Sequence, residues 1–261
     1  MTETGDKSGK RPSAAKGEKK RRNKIGLIGN PHCGKSSLIN AIYRYFNRGK
    51  TFPAPVGRLT KHGTCYLTRY GRGFENKTKF EHPFGFFDTA GVQFEYDSDA
   101  DHKLLNRLVE GLPAGTNLLQ ENEWSACEKV PENAWDHCIF VLDGTKLAEQ
   151  QASMMGMWTT TTASCKGARP LLSHYSYLEE RFGYPPVIVI THQDVVQTEN
   201  KIQLDALMVE LENIVHKNNI FTIDCSEASL SHLTTETRTT IRRLLRRLDY
   251  DISQKYIEEI W

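Results

Sequence analysis

Short apolar runs alternate along this chain with longer stretches whose apolar residues recur every three or four positions. Ile25-Gly26-Leu27-Ile28 is a continuous apolar run that ends in a glycine-rich loop, the pattern of a buried strand. From Ser36 to Phe46 the apolar residues fall at helical spacing, so this first unit reads strand, loop, helix. Residues 47–63 hold Pro53, Pro55, Gly57 and Gly63 and read as a loop. Cys65 to Tyr70 is the next strand. A turn through Gly71-Arg72-Gly73 follows, and then a strand from Phe84 to Phe87 that ends at Asp88. Residues 92–135 are mixed, with a helix predicted from Lys103 to Val109 and an irregular insert from about Pro113 to Pro131. So long a stretch between core strands is uncommon and often functional. His137 to Asp143 is a buried strand, and a helical region is predicted within 147–182. Pro185-Pro186 introduces the strand Val187 to Ile190, ending at Thr191. A helix from Ile202 to Val215, a strand from Ile220 to Ile223 and a final helix from Thr234 complete the pattern.

Strands that are apolar on both faces and alternate with helices imply an α/β fold: a doubly wound, mostly parallel sheet flanked by helices. Nucleotides bind such folds at the carboxyl ends of the strands.

Composition divides the chain. Residues 1–23 are rich in Lys, Gly, Ser and Glu and cannot bury enough apolar surface to offset ordering entropy, so they read as a disordered basic tail. Residues 24–261 read as one domain carrying the insert at about 92–135. The total charge of +2 is uneven: residues 1–24 carry nine Lys/Arg against three Asp/Glu, a net +6, which leaves −4 for the rest. No apolar run approaches the ~18–20 residues that span a bilayer. A signal-peptide core, an N-myristoylation site and a prenylation box are not expected. Cys33, Cys65, Cys127, Cys138, Cys165 and Cys225 are scattered, with no CxxC pair, which argues against a zinc site. A reduced cytoplasmic setting fits them, with a nuclear fraction if the basic tail engages import machinery.

Three segments carry chemistry. Gly29-Asn30-Pro31-His32-Cys33-Gly34-Lys35-Ser36 matches GxxxxGK[ST] between a strand and a helix, the context that motif requires. Successive backbone N–H groups and the helix N-terminus, including that of Ser37, face a β-phosphate there. Lys35 bridges β- and γ-phosphates, and the Ser36 hydroxyl ligates Mg²⁺. Asp88-Thr89-Ala90-Gly91 is a DxxG at a strand end: Asp88 for Mg²⁺, Gly91 for close approach of its N–H to the γ-phosphate. Asp143 ends another apolar strand and is the competing acid; if it served the metal, the protein would look more like an ATPase. Thr191-His192-Gln193-Asp194 follows the strand at 187–190. A carboxylate at Asp194 accepts from guanine N1–H and the 2-amino group, whereas adenine offers an unprotonated N1.

These motifs, in this order, resemble those of the translation-factor-related class of P-loop GTPases, and within it the G domain of the interferon-induced protein 44 family. The closer resemblance rests on GKSSLIN from Gly34 to Asn40, on a DTAG followed by a long insert, and on the pairing of 135–143 with 189–194. It implies GTP/GDP and Mg²⁺ as cofactors. It also implies a switch threonine before the second strand, Thr64 or alternatively Thr60, that coordinates Mg²⁺ when the γ-phosphate is present, and a base-backing element at Cys225-Ser226-Glu227, with Ser226 in the site. Many GTPases place a lysine where His192 stands, its stem lying over the base; an imidazole can stack there too. Many also place a water-orienting Gln directly after the DxxG glycine. Here that residue is Val92, and the following Gln93 would point the other way in an extended chain. Slow intrinsic GTP hydrolysis is therefore expected, with stabilisation supplied by an activating protein or a second protomer of a homodimer. The alternative is a nucleotide-dependent assembly module with little turnover.

Weaker features leave alternatives open. The basic tail suits RNA, an anionic membrane or simple solubility. The last helix, with Ile241, Leu244, Leu245 and Leu248 on one face and Arg238, Arg242, Arg243, Arg246 and Arg247 elsewhere, suits a membrane surface or packing on the sheet. Cys33 sits in an electropositive loop that could lower its thiol pKa, or is a tolerated side chain like His32. Met154-Met155-Gly156-Met157-Trp158 suits a flexible contact surface or the core.

Overall fold

A computed structural model describes residues 23–46, 54, 65–71, 84–91, 98–152, 159–163, 169–192, 208–225 and 233–258, with backbone alone at 146–152, 159–163 and 252–258. The basic tail as far as Arg22, Thr60, Thr64, Val92, Gln93, Met154 to Trp158, Asp194 and Ser226 lie outside the described residues, while Asn23, expected in the tail, is the first residue of the first strand.

The apolar runs become strands: β1 (Asn23–Ile28), β2 (Thr68–Tyr70), β3 (Phe84–Asp88) and β4 (His137–Asp143). A second pair, β5 (Ala148–Ala152) and β6 (Thr159–Ala163), precedes β7 (Val187–Thr191) and β8 (Ile220–Thr222). Six of them form one sheet in the order β2-β3-β1-β4-β7-β8. All its pairings are parallel except β2 with β3, which is antiparallel.

Successive side chains of a strand point to opposite faces, and both faces here are covered. Cys138, Phe140 and Leu142 of β4 join a core with Phe87, Ile188 and Ile190. That core is closed by α2 (Asp99–Glu110), α5 (Arg169–Ser173) and α6 (Tyr175–Phe182). Ile139 and Val141 of β4 face the other way, into a core closed by α1 (Lys35–Phe46) and by the final helix, α7 (Thr235–Glu258). The Ile241, Leu244, Leu245 and Leu248 stripe of α7 is buried in that second core. Among the described residues no helix is long and apolar enough to cross a membrane.

Two elements begin or end where the sequence pattern is blunt. α2 starts at Asp99 rather than Lys103, because the Ser98 hydroxyl accepts from the Asp101 N–H and Asp99 and Asp101 suit the positive end of the helix dipole. It ends at Gly111, whose φ of +103° returns its N–H to the carbonyls of Arg107 and Leu108. The helical region expected within 147–182 is α5 with α6; ahead of it, α4 (Gly144–Leu147) is one turn, and β5 and β6 form a separate antiparallel ribbon with Gln150 opposite Thr161. The threonine run Thr159 to Thr162 favours extended backbone.

The insert after α2 is ordered. It contains the short helix α3 (Glu121–Ala126) and folds back on the lead-in to β2. Leu67 donates to the Thr116 carbonyl at 2.9 Å and accepts from the Gly115 N–H at 2.8 Å, and the Leu118 N–H donates to the Cys65 carbonyl at 3.1 Å. Asn133, buried, donates to the Leu112 carbonyl at 2.7 Å and receives the Arg69 guanidinium. Cys65 to Leu67 therefore pair with the insert, while the strand proper is shorter than its apolar run.

Candidate functional site

β1 runs out at Ile28 into the loop Gly29 to Gly34, and α1 begins at Lys35. The turn needs two unusual backbones: His32 at φ +62° and Gly34 at φ +91°. A side chain on Gly29 would meet the Val141 carbonyl oxygen at 2.3 Å, so the loop crosses the end of β4 in direct contact. Lys35, almost fully buried, folds into the loop: its Nζ donates to the carbonyls of Gly29 at 2.9 Å and Asn30 at 3.0 Å. The ammonium is thus held against the loop's own carbonyl oxygens.

Ser36 and Asp88 meet. The Ser36 hydroxyl donates to Asp88 Oδ2 at 2.5 Å, and Asp88 is 1% exposed. Its other oxygen, Oδ1, is buried with no hydrogen-bond partner. Burial pushes the carboxyl's pKa up; the Lys35 charge and the Ser36 hydrogen bond pull it back only in part. The Thr89 hydroxyl ties the next residue to the Leu27 carbonyl at 2.6 Å. Gly91 lies on the phosphate loop itself: a side chain there would sit 2.3 Å from Pro31 Cα. The DxxG segment and the GxxxxGK[ST] segment therefore form one contiguous wall. An unpartnered, buried carboxylate oxygen beside a serine hydroxyl is a donor set that fits a hard divalent cation such as Mg²⁺.

Asp143 stands elsewhere. Its Oδ1 accepts from the Thr145 N–H at 3.0 Å, from the Thr145 hydroxyl at 2.7 Å and from His192 Nδ1 at 3.2 Å. Burial alone would raise its pKa, but the hydrogen bonds from His192 and Thr145 outweigh it and hold the carboxyl below its usual range. Of the two competing acids, Asp88 is the one joined to Ser36.

Thr191, the last residue of β7, is fully buried, and its hydroxyl lies 2.7 Å from the Cys33 carbonyl and 3.1 Å from the Leu142 carbonyl. It braces the phosphate loop against the third motif, a role beyond the base contact expected of it. Its side chain also sits 3.1–3.2 Å from where a Cβ of Gly34 would be. Cys33 is buried, and burial raises its thiol pKa, with Lys35 lowering it less. Of the two readings of Cys33, the tolerated side chain is the one that fits, because exclusion of water outweighs the electropositive setting. The five described cysteines are free thiols.

One site residue was missed. Asn40 is 1% exposed on α1, and its side chain clasps Ala54: Nδ2 donates to the Ala54 carbonyl at 2.8 Å and Oδ1 accepts the Ala54 N–H at 3.0 Å. The signal was present, since Asn40 is the polar position inside the apolar run Leu38-Ile39-Asn40-Ala41-Ile42. The structure thus brings together Gly29 to Ser36, Asp88, Gly91, Thr191 and His192, with Ser37 in the first turn of α1.

The sequence profile of the 50S ribosome-binding GTPase family matches residues 24–164, more than half of the chain and both phosphate motifs. The chain belongs to that family. As a member it is a P-loop protein that binds guanine nucleotide. No curated protein sequence matches the chain significantly. Among solved structures, translation elongation factor SelB from Methanococcus maripaludis, in complex with the GTP analogue GppNHp, overlaps 87% of the chain at 12% identity and a TM-score of 0.40. The GTPase-family chain covers 34% of that protein's length.

Proposed function

We propose that this GTPase-family chain is a Mg²⁺-dependent GTP-binding switch with slow intrinsic hydrolysis. The observation that carries the reading is the Ser36–Asp88 pair, with Asp88 Oδ1 buried and unpartnered against the loop that holds Lys35. Ser36 and Asp88 would hold the ion, which when bound neutralises charge on the β- and γ-phosphate oxygens. Lys35 supplies a fixed positive charge to the same oxygens, and the Gly91 N–H, packed on Pro31, supplies a donor to the γ-phosphate.

Asp194 gives the preference for guanine, with His192 against the base and Ser226 behind it. Thr64, or alternatively Thr60, would add its hydroxyl to the Mg²⁺ ligands in the GTP state. Val92 in place of a water-orienting Gln makes turnover slow, and an activating protein or second protomer supplies what is missing. The order of motifs supports kinship with the interferon-induced protein 44 family, with one G domain from 24 to 261.

The test is a binding and turnover series with GTP, GDP and ATP analogues, on wild type and Lys35→Ala. The expected result is a clear guanine preference that requires Mg²⁺. Lys35→Ala should lose at least tenfold in affinity, from the roughly 1.5–3 kcal/mol of a hydrogen bond to a charged group. Single-turnover hydrolysis should be slow at low protein concentration; fast hydrolysis by the dilute monomer would refute the switch as stated. ATP binding equal to GTP binding would refute the base preference.

A further inference from the structure

His192 has a left-handed backbone, φ +57°, which costs a non-glycine residue about 1–2 kcal/mol. Something must hold it there. Its Nδ1 lies 3.2 Å from Asp143 Oδ1 and 3.1 Å from the Thr191 hydroxyl. The Thr191 hydroxyl has one proton, and its shortest contact is the Cys33 carbonyl at 2.7 Å. Its oxygen therefore presents a lone pair to His192. With a carboxylate on one side and a hydroxyl lone pair on the other, Nδ1 must carry the ring proton. Asp143 is in turn fixed by two hydrogen bonds from Thr145 and by its place opposite Thr191 in the β4–β7 ladder.

We propose that Asp143 is a positioning residue for base recognition: through Nδ1 it fixes the plane of the His192 imidazole as the surface on which a purine base stacks. This rests on the guanine-binding reading above. Without Asp143 the ring keeps its Thr191 contact but loses its carboxylate anchor, and it then samples up to about six states, three χ1 wells and two ring orientations. Holding one of them avoids an entropy loss on binding, worth about a fivefold gain in affinity.

The experiment is a double-mutant cycle read by GDP affinity in Mg²⁺ buffer. Asp143→Ala should weaken GDP about fivefold in the wild-type background and less than twofold in His192→Ala. Asp143→Asn keeps an acceptor for Nδ1 and should recover most of the loss. The same loss in both backgrounds, or no loss in either, overturns the proposal, because Asp143 would then act independently of His192 or not at all. ¹⁵N spectra of the wild-type histidines, with His192 assigned from a His192→Gln sample, need no Asp143 variant. A Nδ1–H tautomer supports the proposal and a Nε2–H tautomer overturns it. Competition of GDP against ADP on the wild type is scored separately. Equal affinities sink the guanine reading, while the cycle still reports whether Asp143 acts through His192.

Discussion

Replacing Asp88 with asparagine should make the empty protein more stable while removing its ability to use a cation. The carboxylate is 1% exposed, one of its oxygens has no partner, and its pKa is raised in the folded state. A raised folded-state pKa means that the native protein binds the proton more tightly than the unfolded chain. The favourable contribution is fully present below the unfolded value of about 3.9 and is lost as pH rises through the folded value. The ionised group therefore burdens the nucleotide-free protein at neutral pH, and a buried group left unpartnered costs roughly 1–3 kcal/mol. Asparagine keeps an acceptor for the Ser36 hydroxyl and carries no charge. In EDTA, without nucleotide, Asp88→Asn should therefore melt above wild type at pH 7.5, by roughly 2–4 °C for each kcal/mol that loss of the buried charge returns in a domain of this size. The gap should close toward pH 4. With Mg²⁺ and GDP at 100 times the wild-type Kd the order should reverse, because wild type gains about 2.7 kcal/mol from the ligand and the variant gains little. Differential scanning calorimetry across pH, with and without Mg-GDP, measures all of this. An empty Asp88→Asn protein that melts below wild type at pH 7.5 would refute the argument that this acid is held in readiness for a cation.

Two further outcomes follow from packing. Asn40→Ala removes both hydrogen bonds to Ala54 inside a buried site and should lower stability by about 2 kcal/mol; urea denaturation measures it, and earlier proteolytic cleavage near Ala54 should accompany it. Gly26→Ala places a methyl 2.0–2.3 Å from three ring atoms of Trp135 and should destabilise by about 1–3 kcal/mol. Chemical denaturation should show Gly26→Ala/Trp135→Leu recovering part of that loss.

The sheet was legible because its central strands, β1, β4 and β7, are continuous apolar runs, and burial on both faces leaves no other use for one. Both phosphate motifs were legible because their glycines and charges sit at fixed spacing in a strand–loop–helix frame. What escaped depends on partners far away in the chain. Nothing near Asn40 in sequence announces Ala54, and nothing near Asp143 announces His192. The Leu67 pairing with Gly115 and Thr116 lies in a segment whose apolar run looked like ordinary strand. The β5–β6 ribbon escaped because its threonines and glutamines carry neither a helical nor an alternating apolar pattern.

The brace from Thr191 to the Cys33 carbonyl spans 158 positions, and that has a consequence for biosynthesis. A ribosome delivers Gly29 to Ser36 among the first segments of the domain. The neighbours that give the loop its shape arrive later: Asp88 for Ser36, Val141 beneath Gly29, and Thr191 last. Parallel strands cannot pair until their crossover has been made, so β1 waits for β4 before its second neighbour exists. A nascent chain halted before Thr191 would carry the whole phosphate motif yet hold it loosely. A nucleotide that needs the finished loop can therefore assist only the steps of folding that follow the arrival of Thr191.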